Sequence, residues 1–285
     1  MNKVRPEDAK EFDKAVKVGF LASVDKEGQP HVSLISSLMA KGEDQIIFGE
    51  FTEGESKKSI YERPNCGFFI MSLDKVFWTG KCSFTHSERE GEDYIHFNEM
   101  PLFRYNTYCG ISVVHYSDLV DISEKRPLNM VGVILNALKI MALKGLVSKS
   151  DKNILRPWAK KFLAGLITLE FICYIGEDGF PKIVPIIQAQ SAGTDRIAFT
   201  RAPYKDMLTD LKEGAYVAIY GLSLDMEAVE VKGTFHEGKA GICYVDIDKV
   251  YNPLPPKVGY VYPEENLKQE AITDWSVEPL VESLK

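Results

Sequence analysis

Residues 19–36, GFLASVDKEGQPHVSLIS, are answered by residues 170–187, EFICYIGEDGFPKIVPII, at a constant offset of 151 positions. Gly28 and Pro30 fall on Gly179 and Pro181. The same ungapped register sets Phe20 on Phe171, Ile35 on Ile186, Gly42 on Gly193, Asp44 on Asp195, Ile46 on Ile197 and Phe48 on Phe199. Upstream it sets Arg5-Pro6 on Arg156-Pro157. A period of this length makes the chain two copies of one domain, so the fold must be one that can be built twice and packed against itself. The 285 residues suit two such domains, each within the ~100 to 200 residues common for one core.

Each copy presents the same succession. A short amphipathic helix opens it, with Pro6 or Pro157 in the first turn, where a missing N–H costs little. Two alternating strands follow, joined by a turn that ends on Gly28 or Gly179, positions suited to positive φ. Then come a third strand (QIIFGEF or RIAFTRA), a helical segment (ESKKSIYERP or YKDMLTDLKEG) and three more strands. Six strands with one intervening helix predict a mainly β fold with helices, a small closed barrel built twice, since closure removes sheet edges.

In the later strands, VFWTGKCSF aligns with VEVKGTFHE, setting Gly80 on Gly233, and CGISVVHYSDLV aligns with AGICYVDIDKVY, setting Gly110 on Gly241. The glycines are 30 apart in the first copy and 8 in the second, so the first copy carries 22 extra residues, the aromatic-rich SEREGEDYIHFNEMPLFRYNTY. The expected plan is a first copy over 1–120 with the insertion at about 85–108, a helical connection over 121–152, a second copy over 153–251, and a proline-rich extended tail over 252–285.

A net charge of −7 argues against nucleic acid as a partner, because phosphate neutralisation needs an excess of Lys and Arg. The five cysteines show no Cys-x-x-Cys spacing; most of them read as small buried apolar residues of a cytoplasmic protein. The histidines likewise lack metal-ligand spacing, so no metal site is expected. The N-terminus has no signal-peptide core. The most apolar run, Met130 to Leu143, is interrupted by Asn136 and Lys139 and is shorter than the ~20 residues of a membrane span; a packed helix is expected. Lys139 to Lys161 holds seven Lys or Arg against one acid, Asp151, which reads as a solvated helix face or a surface for anionic membranes.

FLASVDKEGQPHVSLIS, followed by DQIIFGEF and SKKSIYERPNCGFFI, resembles the FMN-binding split β-barrel superfamily, the pyridoxamine 5'-phosphate oxidase-like proteins, over most of both copies. The resemblance implies two tandem six-stranded split β-barrels paired as an intramolecular pseudo-dimer, with FMN in the crevice between them and haem or a deazaflavin as alternative cofactors. It implies flavin contacts at Val32, Ser33, Ser36 and Ser37, and phosphate contacts at Thr52, Ser56, Lys57 and Lys58 of the first copy and at Thr200, Arg201 and Lys205 of the second. An ungapped alignment sets the family's phosphate lysine on Ser56, and a shift of two residues sets it on Lys58. Met207 and Leu208 occupy the corresponding place in the second copy, which points to loss of one site. The Arg-rich segment that would grip a vitamin B6 phosphate does not follow Val76-Phe77-Trp78, so the expected activity is a different FMN-dependent oxidation or reduction of a small-molecule substrate or electron acceptor. No acid or base stands out. A non-enzymatic flavin- or haem-binding protein is the alternative, with His96 as the candidate haem ligand, and a homodimer of this chain is a candidate assembly.

Overall fold

The computed structural model of the chain describes residues 3–51, 54–105, 110–165, 167–254 and 258–264. The first copy comprises α1 (Pro6–Phe12), β1 (Val18–Val24), β2 (Pro30–Leu34), β3 (Met39–Lys41), β4 (Gln45–Glu50), α2 (Glu55–Glu62), β5 (Asn65–Met71), β6 (Val76–Glu88), α3 (Glu92–Glu99), α4 (Pro101–Tyr105) and β7 (Val113–Ile122). A connection follows, with β8 (Arg126–Pro127), α5 (Met130–Leu143) and a 3-10 turn at Lys144–Val147. The second copy comprises α6 (Pro157–Phe162), β9 (Leu169–Ile175), β10 (Pro181–Pro185), β11 (Gln190–Ser191), β12 (Arg196–Phe199), a 3-10 segment at Ala202–Leu208, β13 (Tyr216–Leu222), β14 (Ala228–Glu237) and β15 (Cys243–Asn252), and β16 (Gly259–Tyr262) closes the described chain.

The two antiparallel sheets have one topology. The order β2-β1-β5-β6-β7-β4-β3 recurs as β10-β9-β13-β14-β15-β12-β11. Six long strands make each unit, and two short ones, β3 with β8 and β11 with β16, bring each sheet to eight. Each unit is a split β-barrel. The ladder leaves β2 and β4 unpaired with each other, and the Ser37 hydroxyl bridges them, donating to Gly49 O at 2.8 Å and accepting from Gly49 N at 3.0 Å. Gln188, at the 151 offset, donates to Thr200 O at 2.8 Å in the second copy.

Strand register corrects the sequence alignment of the later strands. Phe68 faces Gly80 and Ile219 faces Val231, so the 151 offset continues unbroken through β6, with Lys81 on Lys232. Gly233 is the counterpart of Cys82, and both mark the place where the ladder to the last strand slips. Aligning glycine with glycine therefore misplaced this strand by two residues. In the last strand, His115 faces Phe48 and Cys243 faces Phe199, an offset of 128, so the first copy's insertion is 23 residues rather than 22. The insertion forms α3 and α4, whose Phe97 and Phe103 pack with Met39, Ile47, Ile111 and Val114 in a satellite core. His96 is exposed on α3. Part of the expected extended tail pairs with β15 as β16. Cys66, Cys82, Cys173 and Cys243 are buried and unbridged; Cys109 lies outside the described residues.

The two copies share one core. Phe20 packs on Phe171 and Tyr220 at centroid distances of 4.8 and 5.0 Å, and Phe69 on Phe171 at 4.9 Å. At Gly67 the backbones approach so closely that a Cβ would lie 2.1 Å from Pro181 O. Beside this core Glu230 of β14 is fully buried. It accepts a hydrogen bond from Val32 N at 2.8 Å and lies 2.8 Å from His31 Nδ1 of the other copy.

A second buried carboxyl behaves in the opposite way. Glu170 of β9 is fully buried, and neither of its oxygens has a hydrogen-bond partner among the described residues. Burial pushes its carboxyl well above the ordinary glutamate range, against a weaker pull from Lys144. Such a group holds its proton more tightly when folded, so its contribution to stability is full below the unfolded pKa of about 4.3 and drains away as pH rises. Glu170→Gln is expected to flatten this decline. Thermal melts of both chains from pH 5 to pH 8 test it, and parallel pH profiles would contradict it.

Candidate functional site

A cavity of about 120 Å³ opens where the split of the first barrel meets the second copy. Ser33, Ser36 and Ser37 line one wall, Gly54, Ser56 and Lys57 line another, and Tyr251 of the second copy, with Pro253 and Val258 of the segment that follows it, closes it. β2 brings the first group and the start of α2 the second. The N-cap of α2 is Gly54, which has no side chain to cap the helix, and the start of the helix, its positive end, lines the cavity through Gly54, Ser56 and Lys57.

The Ser33 and Ser56 hydroxyls hydrogen-bond each other across the cavity. The Ser36 hydroxyl lines it and has no hydrogen-bond partner among the described residues. Ser37 is committed to Gly49, and Val32 is turned into the interface, with its N–H on Glu230. Lys57 is 9% exposed, whereas Lys58 is exposed and lines a separate cavity with Asp25, Lys26, Glu27, Glu62 and Lys249. Thr52 lies outside the described residues.

Behind Lys57 stands a group that spacing in the sequence did not single out. Glu50, at the end of β4, meets His115 Nε2 at 2.7 Å, and the other nitrogen, Nδ1, lies 2.8 Å from Ser87 Oγ. Burial alone would raise the Glu50 carboxyl, but the hydrogen bond from His115 and the charges of Lys57, His115 and Arg89 outweigh it and hold it below the ordinary range. Glu50 is therefore a carboxylate, with the His115 ring on one side and the charge of Lys57 near it. One signal of it was readable: the 151 offset sets Glu50 on Arg201, a reversal of charge between otherwise matched copies.

The second copy does not assemble the same donors. The offset puts Val184, Ile187, Met207 and Leu208 where the first copy has Ser33, Ser36, Ser56 and Lys57. The cavity there, about 220 Å³, has Val184 and Met207 in its lining, and Leu208 is buried in the shared core. Thr200 donates its hydroxyl to Asn136 of α5 at 2.9 Å. The Arg201 guanidinium holds the carbonyls of Leu208 and Leu211 and pairs with Glu237. Lys205 is exposed. The α2 equivalent is a 3-10 segment with Pro203 in its first turn and a kink at Tyr204, so no helix start faces a ligand.

No family model matches the chain, and no curated relative does. Among solved structures it is similar to an FMN-binding protein of Syntrophomonas wolfei subsp. wolfei, at 16% identity over 40% of this chain and 81% of that one, with a TM-score of 0.37. It is similar to HupZ of Group A Streptococcus at 16% identity, over 42% of this chain and 91% of that one, with a TM-score of 0.35. An F420 reductase is similar at 16% identity over 42% of this chain and 98% of that one, with a TM-score of 0.34. Each likeness covers less than half of this chain.

Proposed function

We propose that the first copy binds FMN, with the phosphate held at the start of α2, and that the protein is an oxidoreductase acting on a small molecule or redox acceptor. The observation that carries this reading is the convergence of Ser33, Ser36, Ser56 and Lys57 on one cavity at a helix N-terminus, walled by the second copy. Hydroxyls, an ammonium and the positive end of a helix form a donor set suited to a phosphate dianion. The enclosed volume of about 120 Å³ suits a phosphate, and is well below the ~300 Å³ at which pockets for larger ligands begin; the ring system would lie outside it, in the crevice between copies.

When bound, FMN supplies hydride or electron transfer. The chain's part is to bind and orient. Lys57 and Ser56 meet the phosphate charge, Ser33 and Ser36 offer hydroxyls beside it, and Glu50 fixes the ammonium of Lys57 through its charge. Val32 and Ser37 support the wall through the bonds described above. The second copy supplies the closing surface rather than a second phosphate site, because Met207 and Leu208 cannot replace Ser56 and Lys57.

The visible spectrum of the freshly purified protein, with mass identification of any chromophore released by heat, tests this reading. FMN at no more than one per chain is expected. A Soret band, a released deazaflavin, or a colourless protein that does not take up added FMN would overturn it.

A further inference from the structure

Helix α5 is apolar on both sides, but only one side is covered. Val133, Ala137 and Ile140 pack inward, and Asn136 fixes the helix to Thr200. Val131, Ile134, Leu135, Leu138 and Met141 recur at helical spacing on the other side, each at least half exposed. Leu146, just past the end of the helix, is exposed as well, and the half-exposed Trp158, stacked on Phe162 at 4.9 Å, adds a further exposed aromatic on α6. Single exposed apolar residues are ordinary, but a contiguous stripe marks a surface that is covered in use.

The charge around the stripe identifies the cover. An open cavity of about 750 Å³ begins at the C-terminal end of α5 and is lined by Lys144, Arg156, Lys160 and Lys161. Lys139, Lys149 and Lys152 belong to the same segment, and Asp151 is its only acid, in a chain whose net charge is −7. Burial and the neighbouring Lys160 hold the Lys144 ammonium below the usual lysine range. A second copy docked on this face would bring two such cationic clusters together, an arrangement that charge disfavours.

We propose that α5 and the basic cavity seat this protein on a membrane surface rich in anionic lipid, with the apolar stripe in the headgroup boundary and the Lys144, Arg156, Lys160 and Lys161 cluster on lipid phosphates. A helix with an apolar face beside basic residues binds in this way, through buried apolar area plus attraction to anionic headgroups. Met130–Val147, α5 with its 3-10 continuation, is 18 residues long and apolar enough to cross a membrane by length and composition, but its inner face is already packed on the second copy through Val133 and Ile140, so it lies in the plane of the surface.

Co-sedimentation of the full chain with phosphatidylcholine vesicles, with and without phosphatidylglycerol, tests the proposal. Binding is expected only with phosphatidylglycerol, with loss at high salt and a blue shift of tryptophan emission that Trp158→Phe removes. Lys160→Glu with Lys161→Glu is expected to reduce partitioning by about tenfold or more. Leu135→Ser with Leu138→Ser tests the apolar half and is expected to reduce it similarly. All four positions are exposed, and circular dichroism confirms that each double variant is folded. The proposal is overturned by no binding at low salt, by equal binding to neutral vesicles, or by a dimer in solution that Leu135→Ser with Leu138→Ser converts to monomer.

Discussion

Lys57→Ala is expected to weaken FMN binding by more than about tenfold, while Lys58→Ala leaves it within about twofold. Hydrogen bonds to charged groups are worth about 1.5–3 kcal/mol, and 1.4 kcal/mol is a factor of ten in affinity. The adjacent lysines differ because α2 turns them to different places. Lys57 lies in the wall of the cavity, next to the Glu50 carboxylate, whereas Lys58 faces solvent and a cavity of mixed charge. Titration of each variant with FMN, followed by flavin fluorescence, measures both effects. Equal losses from the two variants would mean that the phosphate does not sit at the start of α2.

Glu230→Ala is expected to destabilise the protein by about 3–5 kcal/mol, the cost of breaking a buried charged pair by removing one partner. It leaves Val32 N–H and His31 of the other copy, and the buried Lys232, without the carboxylate that they surround. Burial opposes ionisation of Glu230, but the neighbouring His31 and Lys232 and the hydrogen bond from Val32 N outweigh it, so its carboxyl sits below the ordinary range. Its contribution is therefore present above the unfolded pKa of about 4.3 and is lost as pH falls through the lower folded value. Denaturant titrations at pH 7 and in mild acid check both parts. A variant as stable as the parent at pH 7 would contradict the assignment. Together with Glu170, whose effect has the opposite sign, this confines the stability maximum from both sides.

The duplication and the order of strands were legible because the 151 offset survives from the opening helices to β6 without a gap. The last two strands were legible in kind and not in register. Glycine pairs drew the alignment, but in the structure Gly80 admits the Phe68 ring, where a Cβ would lie 2.2 Å away, while Gly233 relieves a bulge. The glycines thus answer different steric demands, and identity between them carried no register. Ser33, Ser36, Ser56 and Lys57 were legible as a group because they lie on two elements with a readable order. Glu50, Ser87 and His115 were not, since only the pairing of β4, β6 and β7 brings together residues 37 and 28 positions apart. Val32 and Thr200 illustrate the converse: each sits near the predicted place, and each is occupied in holding the fold.

The close passage of Gly67 and Pro181 has a further consequence. In a dimer of identical chains, every substitution at the interface is made twice, once on each side of the axis, and assembly weakens on dilution. Here the halves are tethered, so their encounter is intramolecular and their association does not depend on protein concentration. A change on one side leaves its counterpart untouched. Glu230 faces His31 across the seam, while the matching positions hold Thr79 and Lys182, with no need for either pair to mirror the other. Fusion thus released this interface from symmetry and left each half free to specialise while the other held it in place.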